Sequence, residues 1–402
     1  MENTSPPVLL FADDGANPLG VARSLGRKGI AVSVLTTSKP SILRSCRYIK
    51  KIYDVSTFHQ SKEVRTQLEK FLQDNDKTNA PVLLVTNESH YADLLPLKEF
   101  VDEHFNTVNP LDRLVFLSDK TEQNQLAEQA GFYIPKTLTL QKSSDLELLA
   151  TLQFPVIVKP NSAHTRGQFT AKTELYENAE VLNTAIFPFL QEGNTTVIAQ
   201  EFVVGADSNV KFLFASCGEK GEVRLCLSGH KIRQNPPGRG VMASGGIDSK
   251  QDAVLCEKSK ALCRLFGLKG FIGIECKLDD VTGKYCYIES SIRTDGYNSI
   301  ALAAGVDVVF DSYLAAIGVP LPKRDEVYVP DTIKAVSWAD MELELGTLKE
   351  LRRAGNPAWK GFFKWLPRPV AWAYFTWDDP MPWVLQTFRF LSKRMKAIFS
   401  KR

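Results

Sequence analysis

The sequence predicts two kinds of sheet in one chain, an α/β unit and an α+β block, followed by a basic aromatic region. The first prediction depends on a strand, turn, helix and strand at the start of the chain, which is typical of parallel sheets. The second depends on residues 191–320, where strands alternate around a helix near Asp252–Phe266, as in antiparallel sheets. With 402 residues, 44% of them hydrophobic, the chain is long enough for two or three domains.

The α/β unit begins with the apolar strand Val8–Ala12, continues through a glycine-containing turn and a helix, and reaches the strand Ile30–Leu35. Pro81–Thr86 is another strand of the buried type, and it ends in the polar run Asn87–Ser89. Polar residues at the carboxyl ends of parallel strands commonly contact ligands. The three residues of this run are therefore candidate contacts for an acceptor substrate.

The sequence changes character twice after this unit. Near residue 115 a polar helix, Lys120–Ala130, ended by Gly131, opens a second domain. Three prolines between Pro320 and Pro330 then punctuate a linker into the C-terminal region. These changes predict three parts, which are residues 1–114, 115–322 and 323–402.

The segment from Gly270 to Arg293 predicts a β-hairpin, because two strand-like runs flank a turn rich in Asp and Gly. A turn centred on Thr282 places Glu275 directly opposite Glu289. Opposed Cβ atoms lie about 4.5–5.5 Å apart. At that separation two bare carboxylates repel each other unless a cation or a shared proton lies between them.

A divalent cation between the two glutamates is the simplest explanation of this pairing. Mg²⁺ is commonly held by one or two carboxylates while substrate phosphates complete its octahedron. Arg293, on the same face as Glu289, would neutralise a transferring phosphoryl group. The alternative is a solvated face on which Lys277 and Arg293 balance the glutamates locally. The hairpin by itself does not decide between the two interpretations.

Several motifs follow one another in a recognisable order. The hairpin contains Gly-x-Glu-x-Lys-x-Asp from Gly273 to Asp279, a short turn, and Ile-Glu-x-x-x-Arg from Ile288 to Arg293. This arrangement resembles the metal-binding end of ATP-grasp ligases. Phe154–Pro160 resembles the strand of that family whose lysine, here Lys159, contacts the nucleotide phosphates, and Lys120 resembles its earlier partner. Both lysines suit a polyphosphate as point charges.

Two further segments resemble nucleotide-binding parts of the same family. Asn161–Gln168 lies where a flexible loop closes over the phosphates, although it contains a single glycine. Val197–Asp207 resembles the hinge that holds adenine through main-chain groups. The ATP contacts implied by these resemblances are His164, Arg166 and Gly167 in the loop, and Gln200, Glu201, Phe202, Val203 and Asp207 in the hinge, with Asp207 on the ribose hydroxyls.

The resemblance covers residues 8 to about 318 and implies an ATP-grasp fold of α/β and α+β class. Residues 1–114 are expected to form a Rossmann-like pre-ATP-grasp domain. The ATP-grasp domain, 115–322, is expected to divide into a small lid subdomain, about 115–200, and a metal-binding subdomain, about 201–322. Residues 323–402 form a helical, basic and Trp-rich C-terminal extension in this prediction.

One metal ligand departs from the family pattern. The family has Glu-x-Asn where this sequence has Glu289 followed two residues later by Ser291. The candidate metal ligands are therefore Glu275, Glu289 and Ser291, with Asp295 and Asn298 as candidate substitutes. A serine hydroxyl is a poorer, neutral magnesium ligand than an amide carbonyl, so the departure bears on catalytic competence.

Three cations are candidate catalytic residues. Arg293 lies beside the predicted metal ligands. The basic run Ser228–Arg239 contributes Lys231 or Arg233, one of which would grip an acyl phosphate or a substrate carboxylate.

The resemblance implies a two-step reaction with ATP and Mg²⁺ or Mn²⁺. The γ-phosphoryl group moves to a carboxylate, and an amine then attacks the acyl phosphate to give an amide and ADP. The carboxylate and the amine are small molecules or lipid-linked groups. The alternatives are an enzyme that makes an acyl or carbamoyl phosphate for another purpose, and a membrane-associated ATP sensor without turnover. A net charge of +3 does not favour nucleic-acid binding.

The C-terminal region predicts a membrane surface as a partner. Residues 349–402 contain 12 Lys or Arg and three acids, and all six Trp fall in the last 65 residues. From Pro382 onward, apolar residues recur every three or four positions, which predicts a basic amphipathic helix suited to an anionic membrane. The alternative is a helical subdomain packed on the catalytic core.

The composition also predicts the compartment. Seven cysteines without a CxxC pair indicate reduced thiols. The sequence contains neither a signal-peptide core nor an uncharged apolar run of 18 residues. We expect a cytoplasmic protein, or one bound peripherally to the inner face of the cytoplasmic membrane.

Overall fold

The computed structural model describes residues 5–39, 41–75, 79–161, 173–191, 196–319, 333–357, 359–360 and 370–399. These residues form a five-stranded, a four-stranded and a seven-stranded sheet with helices packed against them. The first sheet is parallel and the other two are mainly antiparallel. The predicted combination of an α/β and an α+β part is therefore confirmed.

The N-terminal sheet is parallel. Its strands are β1 (Val8–Phe11), β2 (Val32–Thr36), β3 (Ile49–Asp54), β4 (Val82–Val85) and β5 (Asn106–Thr107), in the order β3-β2-β1-β4-β5. The helices are α1 (Ala16–Arg27), α2 (Ser61–Asp74), α3 (Ser89–Leu94), α4 (Lys98–His104) and α5 (Leu111–Leu117). Helices cover both faces, so every residue of β1 and β2 is buried. The carboxyl ends of the strands share one edge.

A small antiparallel sheet follows. Its strands are β6 (Thr137–Leu140), β7 (Val156–Pro160), β8 (Glu174–Tyr176) and β9 (Val197–Glu201), in the order β6-β9-β7-β8. Helix α6 (Lys120–Gln129) precedes it, and α7 (Ala179–Gln191) packs on it. Asp119 starts α6 by accepting hydrogen bonds from the main-chain N–H groups of Thr121 and Glu122. The sheet spans most of the predicted lid region.

The seven-stranded sheet forms the centre of the molecule. Its strands are β10 (Val210–Cys217), β11 (Val223–Asn235), β12 (Val241–Ile247), β13 (Gly270–Leu278), β14 (Tyr285–Ser291), β15 (Val336–Ala339) and β16 (Val370–Trp372), in the order β14-β13-β10-β11-β12-β15-β16. The helices are α8 (Ala253–Phe266), α9 (Ser299–Ala303), α10 (Val308–Ala316), α11 (Met341–Arg353) and α12 (Met381–Phe399).

The C-terminal region is part of this sheet. β15 pairs with β12, and β16 pairs with β15, so residues beyond 333 extend the central sheet by two strands. The sequence pattern predicts only helix there. The predicted amphipathic helix is present as α12. Within the described part of the chain, no helix combines the length and the apolarity that crossing a membrane requires.

Candidate functional site

The predicted hairpin is present, and its two glutamates pair as predicted, although the three pairs next to the turn are offset by one residue from the predicted register. Glu275 on β13 pairs with Glu289 on β14, and a register shift follows immediately after Glu275. Ile274 and Cys276, which flank Glu275, are fully buried on the opposite face. One face of the hairpin thus belongs to the core while the other carries the two carboxylates into a cleft.

Glu275 is held on both of its oxygens. Lys231 Nζ lies 2.8 Å from one carboxylate oxygen, and the Tyr297 hydroxyl donates to the other at 2.6 Å. The side chain of Lys231 is only 4% exposed. The contact follows from the strand order, since β10 lies between β11 and β13 and brings the two strands within reach of a long side chain. Tyr297 was not predicted, because a tyrosine in a polar loop carries no local signal.

Glu289 is surrounded by cations and accepts no hydrogen bond from the described residues. Burial favours its neutral form, but positive charges outweigh burial and lower the pKa of this carboxyl. The charges responsible belong to Lys120, Lys159, Lys231 and Arg293. All four were predicted as phosphate-contacting or catalytic residues.

The two predicted phosphate lysines lie near Glu289. Lys159 is buried, and its Nζ donates to the main-chain oxygen of Ile288 at 3.1 Å. Burial lowers the pKa of Lys159 to about 8, with Glu289 opposing and Lys120 reinforcing the shift. Two ammonium groups this close, one of them buried, favour an anionic ligand.

Side-chain amides fix the start of α6, and with it Lys120, against the hairpin. Gln123 on α6 accepts a hydrogen bond from the main-chain N–H of Ser290 and donates one to its carbonyl oxygen, both at 3.0 Å. Asn161, at the end of β7, donates to Asp119 at 2.6 Å. Gln123 was not predicted, since in the sequence it looks like a solvated residue of a polar helix.

Arg293 lies where the hairpin leaves β14. Its Nη1 donates to the Thr294 carbonyl oxygen at 2.7 Å and to Asp295 Oδ1 at 2.8 Å. Its Nε is buried and has no hydrogen-bond partner among the described residues. Burial raises the pKa of Asp295 to about 6 in spite of Arg293. Part of the Arg293 guanidinium therefore remains available for an anion.

Arg233 lies elsewhere. Its Nη1 forms an ion pair with Glu344 of α11, whose other oxygen accepts from Ser244 Oγ at 3.1 Å. The side chains of Arg233 and Glu344 are 8% and 0% exposed. Of the two cations offered as alternatives for the catalytic role, Lys231 lies beside the paired glutamates, whereas Arg233 is engaged in the scaffold.

Several polar groups of the predicted adenine hinge form hydrogen bonds with other parts of the protein. Gln200 is buried and donates to Thr137 Oγ1 at 2.8 Å, and Glu201 accepts from the Gln153 main chain at 2.8 Å. The N–H of Phe202 donates to the Pro155 carbonyl oxygen, whereas that of Val203 makes no main-chain hydrogen bond within the described residues. Val203 therefore offers an open donor.

Asp207, predicted to hold the ribose, braces the end of β11. One carboxylate oxygen accepts from the Gln234 main-chain N–H at 2.8 Å, and the other accepts from the Gln234 side chain and from the Gly238 N–H. The predicted loop residues His164, Arg166 and Gly167 lie outside the described residues.

The donor set fits a divalent cation bound together with phosphates. In the described part of the chain, no three His, Cys, Asp or Glu side chains form a cluster that could hold a metal alone. Two opposed carboxylates are what Mg²⁺ requires when phosphates and water complete its shell. Of the two candidate substitutes, Asn298 donates through its amide nitrogen to Asn17 and to the Asp295 main-chain oxygen, and Asp295 accepts from Arg293. Ser291 lies beside Asp295 and opposes the rise in the pKa of that carboxyl.

The carboxyl edge of the N-terminal sheet meets this end of the hairpin. Glu88 accepts from the Ile292 main-chain N–H at 3.1 Å, and Asn87 donates to Asp13 at 2.6 Å. Asn17 Nδ2 donates to the main-chain oxygen of Thr294. The predicted acceptor-contact residues Asn87 and Glu88 thus lie next to the loop that carries Arg293.

Comparisons with known proteins agree with this architecture. No protein-family model matches the chain. A curated D-aspartate ligase from Enterococcus faecium (strain Aus0004) is 25% identical over 232 residues, which is 54% of this chain and 54% of that protein. The chain therefore matches about half the length of this curated relative.

Solved structures match over more of the chain. An ADP complex of N5-carboxyaminoimidazole ribonucleotide synthetase is 14% identical with a TM-score of 0.63, covering 84% of this chain and 82% of that one. An L-amino acid ligase from Bacillus licheniformis is 15% identical with a TM-score of 0.58, covering 78% and 75%. Biotin carboxylase from Campylobacter jejuni is 15% identical with a TM-score of 0.60, covering 80% and 73%. These similarities show that the chain has the ATP-grasp fold that these enzymes share.

Proposed function

We propose that this protein is an ATP- and Mg²⁺-dependent ligase that activates a carboxylate as an acyl phosphate and couples it to an amine. The observation that carries the proposal is a pair of cations beside Glu289 that have no ion-pair partner. Lys120 and Lys159 both act on Glu289 and form no ion pair among the described residues, whereas Lys231 pairs with Glu275 and Arg293 pairs with Asp295. A polyphosphate would supply the partner anion for the two lysines.

Each residue has a distinct role in the proposed reaction. Lys120 and Lys159 bind the phosphates, and Lys231 orients Glu275. Glu275 and Glu289 would hold Mg²⁺, which would supply positive charge to the phosphates. Arg293 neutralises the phosphoryl group during its transfer to the substrate carboxylate. The protein contributes charge and positioning, so no nucleophilic side chain is required.

The substrates are proposed only as classes. The curated relative is named for D-aspartate, so an acidic amino acid is the first amine to test. The carboxylate partner is a small molecule or a lipid-linked group.

ADP release tests this proposal. We expect Mg²⁺-dependent ADP release from the full-length protein to be stimulated by a pool that contains D-aspartate and small carboxylates. Glu289→Gln should lower the stimulated rate at least about 100-fold, because an uncharged amide cannot hold the metal in the same way. The exposed Glu147→Gln is the matched control and should keep the rate. Stimulated release that survives in Glu289→Gln would refute the assigned metal role. Tight ATP binding without release from any pool would favour the sensor alternative.

We also propose that α12 binds an anionic membrane surface. Trp383, 43% exposed, lies on another side of the helix, but the other five exposed large apolar residues form one stripe of about 120°: Met381, Leu385, Phe388, Leu391 and Met395, each 37–66% exposed. Trp377 nearby is 91% exposed. Lys393, Arg394 and Lys396 are exposed beside the stripe. This combination suits an interface of anionic headgroups and acyl chains, on the inner face of the cytoplasmic membrane in a cytoplasmic protein.

Flotation with phosphatidylglycerol-containing liposomes tests the membrane proposal. The full-length protein should float at low salt, and Phe388→Glu should reduce the floating fraction at least about threefold. Val281→Glu is the control, because Val281 is 92% exposed but lies on the hairpin turn. Equal flotation of Phe388→Glu and the wild type would overturn the role of α12.

A further inference from the structure

Four of the buried cysteines form two pairs between α8 and the hairpin of β10 and β11. Cys226 Sγ on β11 lies 3.1 Å from Cys256 Sγ on α8. Cys263, also on α8, neighbours Cys217 at the end of β10, which raises the pKa of the Cys263 thiol. All four thiols are free and buried.

The helical period explains why two cysteines of α8 face the same hairpin. Cys256 and Cys263 are seven residues apart, so they lie two turns apart on one face of α8. Gly221, in the turn between β10 and β11, lies so close to the helix that a Cβ there would be 1.9 Å from the Cys263 carbonyl oxygen. The hairpin and the helix are therefore in close contact at both pairs.

The geometry at Cys226 and Cys256 is near that of a disulfide. The two sulfurs need to approach by only about 1 Å to reach bonding distance. The hydrogen bond with Cys256 lowers the pKa of Cys226, while the pKa of Cys256 is raised. A thiol with a lowered pKa and a second thiol 3.1 Å away is an arrangement that a small oxidant can convert into a disulfide.

We propose that these cysteine pairs are a redox modification site at which a peroxide converts each dithiol into a disulfide. The Cys226 sulfur attacks one peroxide oxygen, the O–O bond breaks, and a sulfenic acid and water form. The Cys256 sulfur then attacks the sulfenic sulfur, the S–O bond breaks, and the S–S bond forms with release of a second water. Two thiols are oxidised by two electrons, which reduce one peroxide to two waters. The same steps apply to Cys217 and Cys263.

The disulfides would tie α8 to the central sheet behind the candidate site. Asp252, which starts α8, accepts a hydrogen bond from the Tyr285 hydroxyl at the start of β14. Oxidation therefore fastens a helix that contacts the hairpin carrying Glu289.

Intact mass after peroxide treatment tests this proposal. Full-length protein treated with a small excess of hydrogen peroxide should lose about 4 Da, and dithiothreitol should restore the mass. Alkylation of the oxidised protein in denaturant should modify three cysteines instead of seven. Cys256→Ala should lose about 2 Da, whereas the control Cys46→Ala should lose the full amount. The oxidised wild type should unfold about 5 °C higher than the reduced protein. If Cys256→Ala does not fold, Cys217→Ala provides the same count. Oxygen additions without loss of hydrogen, or disulfides between molecules, would overturn the proposal.

Discussion

The cleft and the interface between the central sheet and α11 place similar charges in opposite kinds of surroundings. Lys231 and Arg233 are two residues apart on β11, and both are buried. Lys231 contacts Glu275 in a cleft where cations act together on Glu289. Arg233 forms an ion pair with Glu344, and Ser244 donates a hydrogen bond to the other oxygen of that carboxylate. The cleft also holds Lys120 and Lys159, which form no ion pair among the described residues, whereas Arg233 and Glu344 form a matched pair.

This difference distinguishes charges that bind a ligand from charges that stabilise the fold. A matched buried pair needs no further ligand, and removing one partner leaves an uncompensated charge. An excess of cations in a cleft is instead stabilised when an anion arrives. Three substitutions test the distinction, taken from the largest expected effect to the smallest.

Breaking the matched pair should cost the most stability. Glu344→Ala leaves Arg233 buried and unpaired, so we expect the free energy of unfolding to fall by about 3–5 kcal/mol. Denaturant unfolding measures this loss. Glu350→Ala, exposed on the same helix, should change it by less than about 0.5 kcal/mol. A small effect of Glu344→Ala would mean that water reaches the pair and that the two regions differ less than their geometry indicates.

Removing one cation from the cleft should change how stability depends on pH. Because the pKa of Lys159 is lowered to about 8 while the unfolded side chain titrates near 10.4, the unfolded state binds more protons between these values. The cost of burying the charge is complete below pH 8 and disappears as pH rises toward about 10.4. Without nucleotide, wild-type stability should therefore rise from pH 7 to pH 10 by roughly 2–3 kcal/mol more than that of Lys159→Met.

Urea unfolding at several pH values measures this difference. The exposed Lys250→Met serves as the control and should follow the wild type. Parallel curves for Lys159→Met and the wild type would show that the Lys159 ammonium is not buried at a cost.

The smallest effect concerns the orientation of Glu275. Tyr297→Phe removes the 2.6 Å hydrogen bond to this carboxylate but leaves Lys231 in place. We expect a loss of about 1 kcal/mol in stability and an increase of a few-fold in the Mg²⁺ concentration needed for half-maximal ADP release. Tyr133→Phe, at an exposed tyrosine, should change neither. A Mg²⁺ requirement that does not move would indicate that Lys231 alone orients Glu275.

Sequence reasoning succeeded where the chemistry is local. The pairing of Glu275 with Glu289 was predicted by counting residues around one turn, but the count is one residue off for the pairs next to the turn, and a register shift after Glu275 restores the predicted pairing. The order of the motifs predicts the ATP-grasp fold for the same reason, because each motif lies within a single strand or loop. The positions of Lys120 and Lys159 near Glu289 agree with that order.

Sequence reasoning failed where the partner that determines a residue's role is distant in the chain. Lys231 and Arg233 look alike in sequence, and only Glu344, more than 100 residues away, distinguishes them. The predicted ribose ligand Asp207 has both oxygens engaged by the end of β11, which no local pattern reveals. Strands β15 and β16 have four and three residues, too short for periodicity to separate them from helix or loop.

Two aspartates that follow β16 hold α1 against the central sheet through ion pairs. Asp379, a few residues after β16, forms a buried ion pair with Arg23 of α1 at 2.9 Å, and its neighbour Asp378 pairs with Arg27 of the same helix at 2.8 Å. Arg389 of α12 also reaches Asp14, beside the carboxyl edge of the N-terminal sheet. These ion pairs hold the N-terminal unit and the central sheet together. We therefore expect that, when the cleft opens or closes, the small sheet of β6 to β9 moves while the other two sheets stay in place.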